Sequence, residues 1–200
     1  DVPDKFIVEW GETTPAGWSS GGNLITAKLN MAGAGTQNAS LSIGGSSTAI
    51  NVISNTEEYD GSSWSSGTSL STARAWLAGI GIQDSALAAG GTTGAVSSLT
   101  EHYDGSSWTS GGTLINGRYL PMGGGTQNAG FIAGGVNPSY TIISCTENYD
   151  GSVWSNSGNL SQARYGLAGG GTQNTGIAFG GNNPSYNIVS CTEEYNGTSW

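Results

Sequence analysis

The sequence predicts an all-β chain folded as a β-propeller of about four four-stranded blades. Three observations carry that expectation. The phrase Thr56-Glu57-Glu58-Tyr59-Asp60-Gly61-Ser62-Ser63-Trp64 returns, with small changes, at 100–108, 146–154 and 192–200. Its Trp residues are 44, 46 and 46 positions apart, and Trp18 stands a further 46 before Trp64. Each unit holds short strand-like segments, and none carries the 3.6-residue apolar period of a helix. Four antiparallel strands every ~45 residues describe a blade. One such sheet cannot cover both its faces, and stacking blades about an axis covers them.

The second unit shows the elements in order. Ala73-Arg74-Ala75-Trp76-Leu77-Ala78-Gly79-Ile80-Gly81 is rich in small residues and reads as a short first strand. Lying nearest the axis, where space is tightest, such a strand needs small residues; Gly123-Gly124-Gly125 and Gly169-Gly170-Gly171 fit the same place. Ile82-Gln83-Asp84 makes a polar turn, because Asp and Asn tolerate left-handed backbone angles. Ser85 to Ala89 forms the second strand, and Gly90-Gly91 stops it. Leu99 to Tyr103 forms the third. Asp104-Gly105 is a strong hairpin signal, and a fourth strand starts at Ser107-Trp108. Units therefore run over about 19–64, 65–108, 109–154 and 155–200, after an N-terminal extension or degenerate half-blade at 1–17.

Two arrangements of the ends stay open. Trp18-Ser19-Ser20-Gly21-Gly22 reads as a fourth strand without its own blade, and pairing it with the last blade would close a four-bladed ring and hide an exposed edge. Alternatively, Phe6-Ile7-Val8-Glu9-Trp10 reads as a third strand, and the chain is a piece or a subunit of a larger ring.

The doublet Gly90-Gly91, then Tyr103, then Trp108, then Arg118 opening the next unit, resembles the kelch motif. The resemblance covers 18–200, with one residue fewer between Tyr and Trp and fewer blades than most kelch propellers have. Phrases such as Gly125-Thr126-Gln127-Asn128-Ala129-Gly130 are similar to kelch-like arrays in tailed-phage virion proteins and environmental sequences. The resemblance implies a β-propeller that recognises a partner on an extracellular or virion surface, as in a tail-fibre-type appendage.

Composition narrows the function. The net charge is −9, with five Lys and Arg in 200 residues. Nucleic-acid binders need clustered cations to displace counterions, so nucleic acid is not an expected partner. No apolar run approaches the ~18 residues that span a bilayer. The expected partner is a protein or glycan surface, and the chain can belong to a larger assembly.

Candidate residues follow the repeat. Lys28, Arg74, Arg118 and Arg164 share one position, and symmetry predicts a charged ring at one channel mouth; Glu57, Glu101, Glu147 and Glu193 repeat on third strands. A salt bridge within or between blades accounts for both sets, and an axial anion site is the sharper alternative. Trp64, Trp108, Trp154 and Trp200, with Tyr59, Tyr103, Tyr149 and Tyr195, are expected to pack between blades. Asn137-Pro138-Ser139-Tyr140 and Asn183-Pro184-Ser185-Tyr186 occur only in the last two units and lie between second and third strands. Loops on a rigid scaffold concentrate recognition, so Tyr140, Tyr186, Asn137 and Asn183 are the candidate binding residues.

No catalytic residue, metal site or cofactor is expected. The single His102 stands where other units hold Glu58, Asn148 and Glu194, which predicts a solvated surface position. Neighbouring carboxylates such as Glu57 and Glu58 point to opposite faces of a strand. Cys145 and Cys191 occupy equivalent positions on neighbouring units, too far apart for a disulfide, and are expected to be free, partly buried thiols. The sequence therefore reads as a non-enzymatic recognition or structural module. A glycan-binding lectin is the alternative, and a propeller enzyme with an axial site is a third reading.

Overall fold

The computed structural model describes residue 17 and residues 19–200. Every regular element among them is a β-strand, so no helix there is long and apolar enough to cross a membrane. The strands form four blades of a β-propeller. Blade 1 holds β1 (Ala32–Thr36), β2 (Ala39–Ile43), β3 (Thr56–Tyr59) and β4 (Trp64–Ser66). Blade 2 holds β5 (Ala78–Ile82), β6 (Ser85–Ala89), β7 (Thr100–Tyr103) and β8 (Trp108–Ser110). Blade 3 holds β9 (Met122–Thr126), β10 (Ala129–Ala133), β11 (Thr146–Tyr149) and β12 (Trp154–Ser157). Blade 4 holds β13 (Ala168–Thr172), β14 (Thr175–Phe179) and β15 (Thr192–Tyr195). Each sheet is an antiparallel meander in chain order.

The turns form as their residues dictate. The Asp104 carboxylate accepts from the Ser106 and Ser107 amides at 2.9 and 2.7 Å, and Gly105 supplies a φ of 87°. The turn sets Tyr103 directly opposite Trp108. Their rings then pack at 4.8 Å, and the other blades repeat the pair at 4.7 to 5.0 Å.

First strands lie side by side, β1 with β5, β5 with β9 and β9 with β13. The approach is close enough to require glycine: a Cβ on Gly79 would stand 2.5 Å from the Gly33 carbonyl oxygen. Three buried clusters fill the three junctions. Leu41 and Ile43 meet Leu77, Ala86, Ala88 and Tyr103; Ile80, Leu87 and Leu114 meet Ile132, Tyr149 and Trp154; Met122, Phe131 and Leu160 meet Leu167 and Ala178. Among the described residues, no such cluster joins blade 4 to blade 1.

The expected clasp is not formed by the described residues. Trp18 lies outside them, as does the segment Phe6–Trp10, and blade 4 is three-stranded. Ser19–Gly22 form no ladder with β15 and lie along blade 1, where Gly22 meets the Ser62 carbonyl as Gly112 meets that of Ser152. Downstream, the Glu57 carboxylate accepts from the Ile25 and Thr26 amides at 2.8 and 3.1 Å, as Glu147 does from those of Ile115 and Asn116.

Candidate functional site

The repeating cations are internal. Arg74 donates to the Gly90 and Leu99 carbonyls at 2.9 and 2.8 Å and to Glu101 at 2.9 Å, all within blade 2. Arg118 pairs with Glu147 in blade 3, Arg164 with Glu193 at 2.7 Å in blade 4, and Lys28 with Glu57 at 3.5 Å in blade 1. All four basic side chains are covered, so they present no open charged ring at a channel mouth. Burial lowers the pKa of Arg74 and Arg118, against the attraction of their glutamates. The glutamates also bind backbone: Glu147 accepts from Ile115 and Asn116 amides at 2.8 and 3.0 Å. The pair therefore fastens the strand order within a blade.

The Trp and Tyr of blades 2, 3 and 4 lie between blades, whereas Trp64 and Tyr59 of blade 1 meet no preceding blade among the described residues. Trp108, Trp154 and Trp200 each donate their indole N–H to Thr56, Thr100 and Thr146 of the preceding blade, at 3.0, 2.9 and 2.8 Å. Tyr103 reaches Glu58, Tyr149 reaches His102 at 2.6 Å, and Tyr195 reaches Asn148 at 3.1 Å. His102 is thus a half-buried junction residue and not a solvated one, and burial lowers its pKa. The variation at this position is explained by the Tyr hydroxyl, which pairs with a carboxylate, an imidazole or an amide. Cys145 and Cys191 are free; Cys145 is half-buried and Cys191 exposed.

The two Asn-Pro-Ser-Tyr loops build one presenting surface. The Asn137 side-chain oxygen accepts from the Ser139 and Thr141 amides at 3.0 and 2.9 Å, and Asn183 does the same for Ser185 and Asn187 at 3.0 and 3.1 Å. These bonds hold Tyr140 and Tyr186 at φ of 57° and 60°, a left-handed conformation uncommon for bulky residues. The two residues remain 75% and 71% exposed. The side-chain oxygens of Asn137 and Asn183 are spent on the loops, and among the described residues their amide nitrogens make no hydrogen bond.

The structure adds residues that the sequence reading did not single out. Tyr165 meets Tyr186 edge-on at 6.4 Å, and Trp76 packs on Tyr119 at 6.1 Å. Burial, then the nearby Tyr140, Tyr165 and Tyr186, raise the Tyr119 pKa. Trp76, Tyr119, Tyr140, Tyr165 and Tyr186 thus gather on one rim. This group borders an axial depression lined by Asn30, Met31, Trp76, Leu120, Pro121 and Gly166. A signal existed: Tyr119 and Tyr165 are 46 positions apart and each follows the repeating Arg.

Among the described residues, no three His, Cys, Asp or Glu side chains converge as a metal site. No family model matches this chain, and no curated protein matches it.

Proposed function

We propose that the chain is a kelch-like propeller acting as a non-enzymatic recognition module, which binds a protein or glycan surface through the tyrosine rim of blades 3 and 4. One observation carries the reading: two loops hold Tyr140 and Tyr186 out into solvent on left-handed backbones, beside half-buried Tyr119 and Tyr165. Holding bulky residues there costs of order 1–3 kcal/mol each, and strain of this kind clusters where ligands are gripped. Tyrosine offers a large rigid contact area at low entropic cost together with a hydroxyl.

An extracellular or virion surface, such as a tail-fibre-type appendage, is the proposed setting. The Gly, Asn, Ser and Thr-rich composition and net charge of −9 suit it. Glycan is the second reading, favoured by the amide nitrogens of Asn137 and Asn183, which make no hydrogen bond among the described residues, beside exposed tyrosines, a combination that offers both stacking and hydrogen bonds to a sugar.

The test is a glycan array and a binding screen on partner cell surfaces, run with the wild type and with Tyr140→Ala/Tyr186→Ala. Loss of binding at unchanged melting temperature is expected. Retained binding by the double variant would remove the rim from the function.

A further inference from the structure

Five kinds of hydrogen bond join each blade to the next, and each is made at all three junctions. Trp donates to Thr, and Tyr meets Glu58, His102 or Asn148, as described above. Gln83, Gln127 and Gln173 each donate from a first turn to two carbonyls of the preceding blade, at 2.6 to 3.1 Å. The amides of Trp76, Leu120 and Gly166 donate to Asn30, Trp76 and Leu120 at 2.8 to 3.0 Å. The amides of Gly45, Gly91 and Gly135 donate to Arg74, Arg118 and Arg164 at 2.7 to 2.8 Å.

The two end faces hold the unmatched halves of this set. Blade 4 presents the Thr192 hydroxyl, the Glu194 carboxylate, the Gly176 and Tyr195 carbonyls, the Gly166 carbonyl and the Gly181 amide. Blade 1 presents the Trp64 indole N–H, the Tyr59 hydroxyl, the Gln37 side-chain amide, the Asn30 amide and the Lys28 carbonyl. None of these has its junction partner among the described residues.

Packing matches in the same way. Leu41, Leu87 and Phe131 are 0–2% exposed because the next blade covers them, whereas their counterpart Ile177 is 38% exposed and the adjacent Phe179 is 44% exposed. At the junctions a large residue faces a small one: Leu41 with Ala86, Leu87 with Gly130, Phe131 with Gly176. On blade 1 the corresponding residue is Ser40, half-buried and small enough to receive Ile177. A recess of about 490 Å³ on blade 4, lined by Asn174, Gly176, Ile177, Glu194 and Tyr195, stands where the glutamine turn of a following blade would insert.

We propose that the blade 4 face left uncovered by the described residues docks a second copy of this chain, head to tail, through the blade 1 face of that copy. The contact is a fourth example of a junction the molecule already makes three times, so its donors, acceptors and large-to-small packing are settled. Among the described residues β13 does not lie against β1 as β9 lies against β13, so the two faces do not cover each other there, and a second copy would cover both. Head-to-tail contacts make rings when the rotation closes. Two copies of this 200-residue chain, joined by two such junctions, make a ring within the usual four to eight blades.

The experiment is sedimentation or light scattering of the 200-residue chain across a concentration series. Twice the mass of one chain is expected. Phe179→Asp, on the blade 4 face, and Met31→Asp, on the blade 1 face, should each return the mass to that of one chain with an unchanged β-sheet circular dichroism spectrum. Mixing the two variants should restore the doubled mass, because one junction of the pair remains wild type. Larger species abolished by both substitutions would also support the docking. A single-chain mass at every concentration, as cis closure or a foreign partner for this face would give, overturns the proposal. So does a doubled mass that survives Phe179→Asp, or a mixture that stays at single-chain mass.

Discussion

Single side chains set the acid response of this protein. Asp60, Asp104 and Asp150 each close a hairpin by accepting several hydrogen bonds, which favours the carboxylate and lowers their pKa from 3.8, for Asp104 to about 2. The unfolded chain therefore takes up protons first. The contribution of these groups is complete above about pH 4 and is lost as pH falls through their folded values. The fourth turn already uses a neutral residue, because Asn196 accepts from Thr198 and Ser199 amides at 3.0 and 2.9 Å. Changing all three Asp to Asn is expected to keep the turns at pH 7 and flatten the fall in stability between about pH 4 and pH 2, measured by urea unfolding. His102 acts in a second window. Its folded pKa lies below 6.5 through burial, so stability rises as pH climbs toward about 6.5 and levels above it. His102→Asn, the residue used at position 148, should remove that slope. Tyr119 and Tyr165 show a limit of residue-level reading. A half-buried Tyr beside a buried Arg looks like core until the loop bearing Tyr186 is seen to fold over it.

Within a blade, the decisive element is the buried ion pair and the backbone it ties. Arg118 is fully buried and joins β11 to the Gly134 and Cys145 carbonyls, while Glu147 holds the chain at Ile115 and Asn116. Removing one partner of such a pair costs about 3–5 kcal/mol, because a buried charge is left alone. Arg118→Ala is expected to lose that much in denaturant unfolding. Repetition of Arg and Glu at fixed places revealed the pairing in the sequence. It did not reveal which carbonyls the Arg side chains satisfy, since main-chain atoms such as those of Gly134 and Cys145 are not named by any side-chain pattern. The strands themselves were legible: the first turn, the Gly-Gly stop and the Asp-Gly hairpin of blade 2 fall where their residues require.

At the scale of the whole molecule, stability comes from the junctions, since no blade covers its own faces. Trp154→Ala removes a ring that is buried between blades 2 and 3 and strips the Thr100 hydroxyl of its partner. It should cost about 3–5 kcal/mol and lower the urea midpoint of the whole array. Period and strand order declared the propeller; whether blade 4 meets blade 1 stayed open between two arrangements, and among the described residues no cluster joins them. That meeting depends on the rotation between blades, and that rotation follows from side-chain volumes at the interfaces, such as Phe131 against Gly176, which a repeat pattern averages away. The glutamine bridges were hidden for a related reason. Gln83 looked like an ordinary polar turn residue, and its two acceptors are main-chain atoms of another unit.

The uniform bonding across junctions makes the array extensible. Suppose the segment encoding blade 2 were duplicated in frame. The one new boundary would set Leu87 against a second Ala86, the same kind of fit that Leu41 already makes with Ala86, and a second Gln83 would find the Ala86 and Tyr103 carbonyls that Gln127 now uses. Every other boundary would be unchanged. A gene of this design can gain or lose members by unequal recombination without inventing an interface, so the number of blades is free to vary among descendants while the grammar of their contacts stays fixed.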